Sequence, residues 1–138
     1  MNREELKERT KQFALRVMRL VDALPKSIKG RALASQMVRS GTSVAANYRA
    51  ACRGRSRAEF IAKIGLVEEE ADETALWLEL VISDELLSKK KVQPLLDEAN
   101  ELVAIMAASY ISARENGRLR NGARAPQQSA ISNQQSEK

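Results

Sequence analysis

The chain has 138 residues, 23 Lys and Arg against 18 Asp and Glu, one cysteine and no histidine. That length suits one domain with a core of its own. Without histidine there is no imidazole base, no Ser-His or Cys-His couple and no His-bearing metal site, and a lone Cys52 makes neither an internal disulfide nor a thiolate-rich metal site.

The first dozen residues include Arg3, Glu4, Glu5, Lys7, Glu8, Arg9 and Lys11, where a secretory signal needs an apolar stretch. The longest apolar run, Leu102 to Ala108, is far short of the roughly 20 residues that cross a bilayer. A cytoplasmic protein with no membrane partner is expected. The first helix is predicted from about Arg3 to Leu24, with Leu6, Phe13, Val17, Leu20, Val21 and Leu24 on one face and Pro25 at its end. The second runs from about Ile28 to Arg53, with Ser27 as N-cap and Gly54 placed for the left-handed position after its end. Ser56-Arg57-Ala58-Glu59 reads as a capping box that opens a third helix. That helix reaches Ser83 or Leu87, with Phe60, Ile64, Val67, Ala71, Thr74, Leu78, Val81 and Ile82 as its buried stripe. The fourth runs from about Lys91 to Arg114, with Pro94 in its first turn and Leu95, Ala99, Leu102, Val103, Met106 and Tyr110 inward. No strand alternation occurs. The fold class expected is all-α, an up-down-up-down antiparallel four-helix bundle over residues 1–116, each helix some 35–45 Å long. Residues 117–138, rich in Gly, Asn, Gln, Ser and Arg, are expected to form a disordered basic tail.

Charge is unevenly spread. Residues 1–57 hold 14 basic and 4 acidic residues, and residues 58–116 hold 5 basic and 13 acidic. The topology puts Lys26, Lys29 and Arg31 beside Lys89, Lys90 and Lys91 at one end of the bundle. It puts Arg49, Arg53, Arg55 and Arg57 beside Arg3, Lys7 and the tail's Arg118, Arg120 and Arg124 at the other, with Lys63 of helix 3 a further candidate. Clustered Arg and Lys displace counterions from nucleic acid, so these ends are the candidate RNA- or DNA-binding surfaces. The acidic third and fourth helices suit attraction to the basic first and second, within one bundle or between subunits. Five aromatic residues, mostly at core spacing, argue against base stacking as the main mode.

Ser40, Ser43 and Asn47 share a face of helix 2, and Glu70, Glu73 and Trp77 share a face of helix 3. Antiparallel pairing about residues 54–56 brings Glu70 and Glu73 level with Met37 to Thr42. A hydroxyl–carboxylate network that sets register is expected there, with Arg39 in reach. With no histidine, nucleophile or phosphate-cradling loop beside them, the two glutamates do not make an acid–base pair. No cofactor or metal is expected.

These residues carry a resemblance. The run Arg39-Ser40-Gly41-Thr42-Ser43-Val44-Ala45-Ala46-Asn47-Tyr48-Arg49, then Ser56-Arg57-Ala58-Glu59-Phe60, then Glu69-Glu70-Ala71-Asp72-Glu73-Thr74 with Trp77-Leu78, resembles the bacterial four-helix-bundle proteins named after the 23S rRNA intervening sequence. The likeness covers about residues 8–114. It implies a homopentamer and no settled activity. A distant relative, the accessory protein of diversity-generating retroelements, is a basic pentameric bundle that binds nucleic acid and a reverse transcriptase, so a protein partner of that kind is a further implied expectation. Ser43, Asn47, Glu70, Glu73 and Trp77 match motif positions. The acidic third helix departs from that relative and confines any nucleic-acid surface to the ends. The expected function is a non-catalytic oligomer that binds nucleic acid at a basic end; the alternative is a protein-interaction scaffold.

Overall fold

The structure, a computed structural model, describes residues 1–124, with side chains to residue 119. Four helices follow in order: α1 (Arg3–Val21), α2 (Ile28–Cys52), α3 (Arg57–Ser83) and α4 (Lys89–Arg124). No strand occurs among the described residues. Each helix packs on its neighbours in sequence, and α4 closes the ring lightly against α1, as an up-down-up-down bundle requires.

Local signals set the boundaries. Asn2 and Glu5 form a full capping box at α1, with the Glu5 N–H on Asn2 Oδ1 at 2.8 Å and the Asn2 N–H on Glu5 Oε1 at 2.9 Å. α1 stops at Val21, three residues before the expected Leu24. Tight-turn bonds from the Ala23 and Leu24 N–H groups carry the chain on, and Leu24 is still buried in the core. Ser27 caps α2, its hydroxyl accepting from the Gly30 N–H at 3.2 Å. A Cβ at Gly30 would stand 2.0 Å from the Pro25 carbonyl oxygen, so the α1–α2 turn can fold over α2 only where a side chain is absent.

Three expectations need correction. Gly54 is not left-handed; no glycine among the described residues has positive φ. Its N–H reaches the Ala51 carbonyl, and a Cβ there would crowd the Phe60 amide at 3.3 Å, so it is small because two backbones meet. The left-handed residue is Glu85, φ 56°, after α3. Its N–H bonds Ile82 O and the Leu86 N–H bonds Val81 O, a Schellman motif built without glycine. The capping box at α3 is half made: Ser56 Oγ accepts from the Glu59 N–H, but the Glu59 carboxylate turns to the Arg55 N–H at 2.8 Å. Finally, α4 begins at Lys89, with Ser88 Oγ accepting from the Lys91 N–H, so Pro94 lies past the first turn and leaves the Lys90 carbonyl without its helical donor.

α4 also runs ten residues past the expected Arg114. At about 1.5 Å per residue it is roughly 54 Å long. Gly117 lies within the helix with the Arg57 stem against it, 2.9 Å from where a Cβ would be. The expected tail from residue 125 onward lies outside the described residues.

The core follows the predicted stripes. Phe13, Val17, Met37, Val44, Tyr48, Ile64, Val67, Leu78, Val81, Val92, Leu102 and Met106 are its largest fully buried side chains. Val92, Leu96 and Ala113 extend the buried face of α4 beyond the expected set, while Val103 and Tyr110 are only half-buried.

Tyr48 fills a helix junction one turn before Cys52. Burial first, and Cys52 beside it second, push its phenol above the usual value near 10. An acid whose pKa is raised on folding contributes stability that is whole below its unfolded value and is lost as pH rises through the folded one. Stability to urea therefore falls above about pH 10. The Tyr48→Phe variant shows a flatter loss there, measured as the urea midpoint against pH.

Candidate nucleic-acid interface

The opposite charges of the two halves meet across the helix seams of one bundle, near its surface. Arg39 of α2 ion-pairs with Glu73 and lies 3.3 Å from Glu70 Oε1 on α3. The two carboxylates raise its pKa, Glu73 most. Beneath them the buried Ser40 and Thr74 hydroxyls bond each other at 2.7 Å. Thr74 Oγ1 also donates to the Glu70 carbonyl at 2.8 Å. Ser40 thus meets a hydroxyl, and the carboxylates meet a guanidinium. Ser43 and Asn47 stay on their own helix, Asn47 Nδ2 donating to the Ser43 carbonyl and hydroxyl at 3.0 and 2.9 Å. Trp77 packs half-buried against the core, its indole N–H without a partner. Gly41, whose Cβ would press both Val17 methyls at 3.0 Å, lets α1 and α2 approach closely.

On the α1–α4 seam Arg9 clamps Glu98 through Nε (2.7 Å) and Nη2 (2.8 Å), and Glu101 through Nη2 (2.6 Å). These bonds, Glu98 first, raise the Arg9 pKa. The sequence reading anticipated attraction between the halves but did not single out Arg9. Its spacing carries no signal, because the partners lie 89 and 92 residues away. Arg9 is three-quarters buried and its fork is bidentate, so it exceeds an ordinary surface pair. Arg9→Ala is expected to lower the unfolding free energy by about 1–2 kcal/mol, read from urea midpoints.

These pairings leave the remaining cations at the ends, and the ends differ. At the α1–α2 and α3–α4 turns, Lys26, Lys29 and Arg31 are exposed, but Lys29 is paired with Asp84 at 2.6 Å, and Glu85 and Asp22 are also exposed there. A hollow of about 250 Å³ is lined there by Arg16, Arg19 and Lys91. The other end holds two larger hollows with no acidic residue in their walls. One, about 350 Å³, is a groove between α1 and α2, with Lys7 and Lys11 on one side, Arg49 and Arg53 on the other and Ala45, Ala46 and Ala50 between. Positions four apart on a helix rise about 6 Å, so the groove carries two short parallel rows of positive charge. Lys7 also touches Glu4 at 2.9 Å; Lys11, Arg49 and Arg53 make no ion pair among the described residues. The second hollow, about 610 Å³, is an open cleft under Arg55 and Arg57, reaching Phe60 and the Ala108 to Asn116 stretch of α4. Arg57 Nη1 donates to the Ala113 carbonyl at 3.3 Å, which fixes its stem and leaves other donors for a ligand. Lys63 is half-buried on α3 and lines neither hollow. Among the described residues no cluster of His, Cys, Asp and Glu could hold a metal, and no helix is long and apolar enough to cross a membrane.

The molecule is thus an all-α up-down four-helix bundle whose two halves are joined by buried hydroxyls and Arg–carboxylate clamps. The chain belongs to the 23S rRNA-intervening sequence protein family, whose model matches residues 3–108. It is similar to a solved structure from Bacteroides thetaiotaomicron, described as a protein with unknown function from the S23 ribosomal protein family. The two are 33% identical, and the match covers 75% of this chain and 96% of that one with a TM-score of 0.71. No match was found among curated proteins.

Proposed function

We propose that this chain is a non-catalytic, cytoplasmic, self-associating bundle that holds nucleic acid by its phosphates at the end where the α2–α3 turn meets the N-terminus. The observation that carries this is the α1–α2 groove, where Lys7, Lys11, Arg49 and Arg53 face one another with no acid in the wall. Phosphate neutralisation by such rows releases counterions, so affinity falls steeply as salt rises. Fluorescence anisotropy with a short structured RNA is the test. Tight binding at low salt that weakens along a straight log–log line supports the reading. No binding at low salt overturns it.

Self-association has its own support. Leu66, Leu76 and Leu80 on α3 are 40%, 47% and 41% exposed in the single chain, and Trp77 lies on the same helix with its indole N–H unpartnered. Large apolar side chains left in water along one helix favour a protein contact. A ring of five, the number the family likeness suggests, would cover them. Light scattering at micromolar concentration checks this, and a monomer contradicts it. The same leucines favour a second reading, a scaffold for another polypeptide. That reading requires a protein that co-purifies through nuclease treatment and high salt.

A further inference from the structure

The larger cleft beside the basic groove holds more than charge. Arg3 from the start of α1 lies over the Phe60 ring of α3, its guanidinium carbon 4.5 Å from the ring centroid. Both groups line the cleft. Phe60 is one of five aromatic residues in the chain, and it is half-buried rather than enclosed. Arg55 and Arg57, with Ser112 and Asn116 of α4, line the same cleft as this pair. A stacking platform, guanidinium donors and neutral hydroxyl and amide groups thus share one open space of about 610 Å³.

That set of groups matches the parts of an unpaired nucleotide. A base stacks on an aromatic ring or on a guanidinium plane, a phosphate is taken by arginine forks, and a base edge or ribose is met by hydroxyl and amide groups. A base inside a duplex is already stacked and paired, and its faces cannot reach such a platform. Both hollows include residues from 49 to 57 near the end of α2, so a strand whose phosphates run along Lys7, Lys11, Arg49 and Arg53 can place its next nucleotide in the cleft.

From this juxtaposition we infer that the site takes single-stranded nucleic acid, with one unstacked nucleotide seated on the Arg3–Phe60 pair. This rests on the phosphate-binding reading above and narrows it to a ligand class. Charge accounts for most of the affinity; the platform supplies the preference for an unpaired strand.

Fluorescence anisotropy is measured with a labelled oligouridylate, its deoxy counterpart, and each strand annealed to its complement. The protein is compared with Phe60→Leu, which keeps apolar bulk against the core and removes the π face, and with Arg3→Lys, which keeps the charge of an exposed residue and removes the planar group. Single strands are expected to bind about tenfold more tightly than duplexes, and each variant to lose most of that preference while keeping its duplex affinity. Equal binding of the ribo and deoxy strands would assign the neutral groups to the base, and tighter binding of the ribo strand would assign them to the 2′-hydroxyl; both support the inference. Equal binding of strand and duplex, unchanged in both variants, overturns it and leaves phosphate binding standing. No binding of any probe at low salt overturns both.

Discussion

Replacing Lys7, Lys11, Arg49 and Arg53 together by alanine lowers the slope of log affinity against log salt by about 3 and weakens low-salt binding to RNA by orders of magnitude. The figure follows from about 0.7–0.9 of slope per phosphate contact. None of the four side chains belongs to the buried core, and three make no ion pair among the described residues, so the variant should fold as the parent does. Replacing Lys26, Lys29 and Arg31 at the opposite end provides the contrast. Lys29 is paired with Asp84, and the proposed site makes no phosphate contact at that end, so that triple change should move the slope by about one or less. If the two variants lose equal slope, the groove is not the site. Helical circular dichroism of each variant separates loss of contact from loss of fold.

Phe13→Ala is expected to lower the unfolding free energy by about 3–5 kcal/mol. Phe13 is 1% exposed and among the largest fully buried side chains of the core, so truncating it leaves a void there. A domain of this size has a total stability of about 5–15 kcal/mol, so one such cavity removes a large share. Ile28→Ala is the control, because Ile28 is 90% exposed at the first position of α2 and should change stability by about 0.5 kcal/mol or less. Urea denaturation of both variants, with unchanged dependence on denaturant, measures the difference.

The fold was legible because its signals are local. Leu6, Phe13, Val17 and Leu20 repeat at helical spacing, Ser27 and Ser56 mark helix starts, and the structure uses both as caps. The errors came where a local rule met a tertiary contact. Gly54 resembles a left-handed cap, but the crossing of two backbones decides its size, and Glu85 takes the left-handed place instead. Asn116-Gly117 resembles a helix end, but the Arg57 stem packs against Gly117 and α4 continues. Asn2 and Glu5 have the spacing of a capping box, and the structure forms it in full.

The site was less legible, for the same reason. Register about the α2–α3 turn was enough to bring Arg39, Glu70 and Glu73 to one level, because that turn is short. It did not reveal that Ser40 would bond Thr74, since either hydroxyl or carboxylate fits the spacing. The two ends look alike in sequence, each with a run of cations. Asp84 and Glu85 distinguish them only after folding, when Lys29 meets Asp84 and the α1–α2 groove stays free of acid. Lys11 and Phe60 gain their importance from neighbours on other helices, which composition cannot supply.

The central claim is a location, so the most direct measurement maps one. RNA carrying photoreactive nucleotides is cross-linked to the full chain at low salt, and the attached peptides are identified by mass spectrometry. Attachment is expected within residues 3–11, 45–60 and 108–116, the segments that wall the two hollows. Attachment concentrated at residues 26–31 and 84–95, or spread along the acidic body of α3, would contradict it.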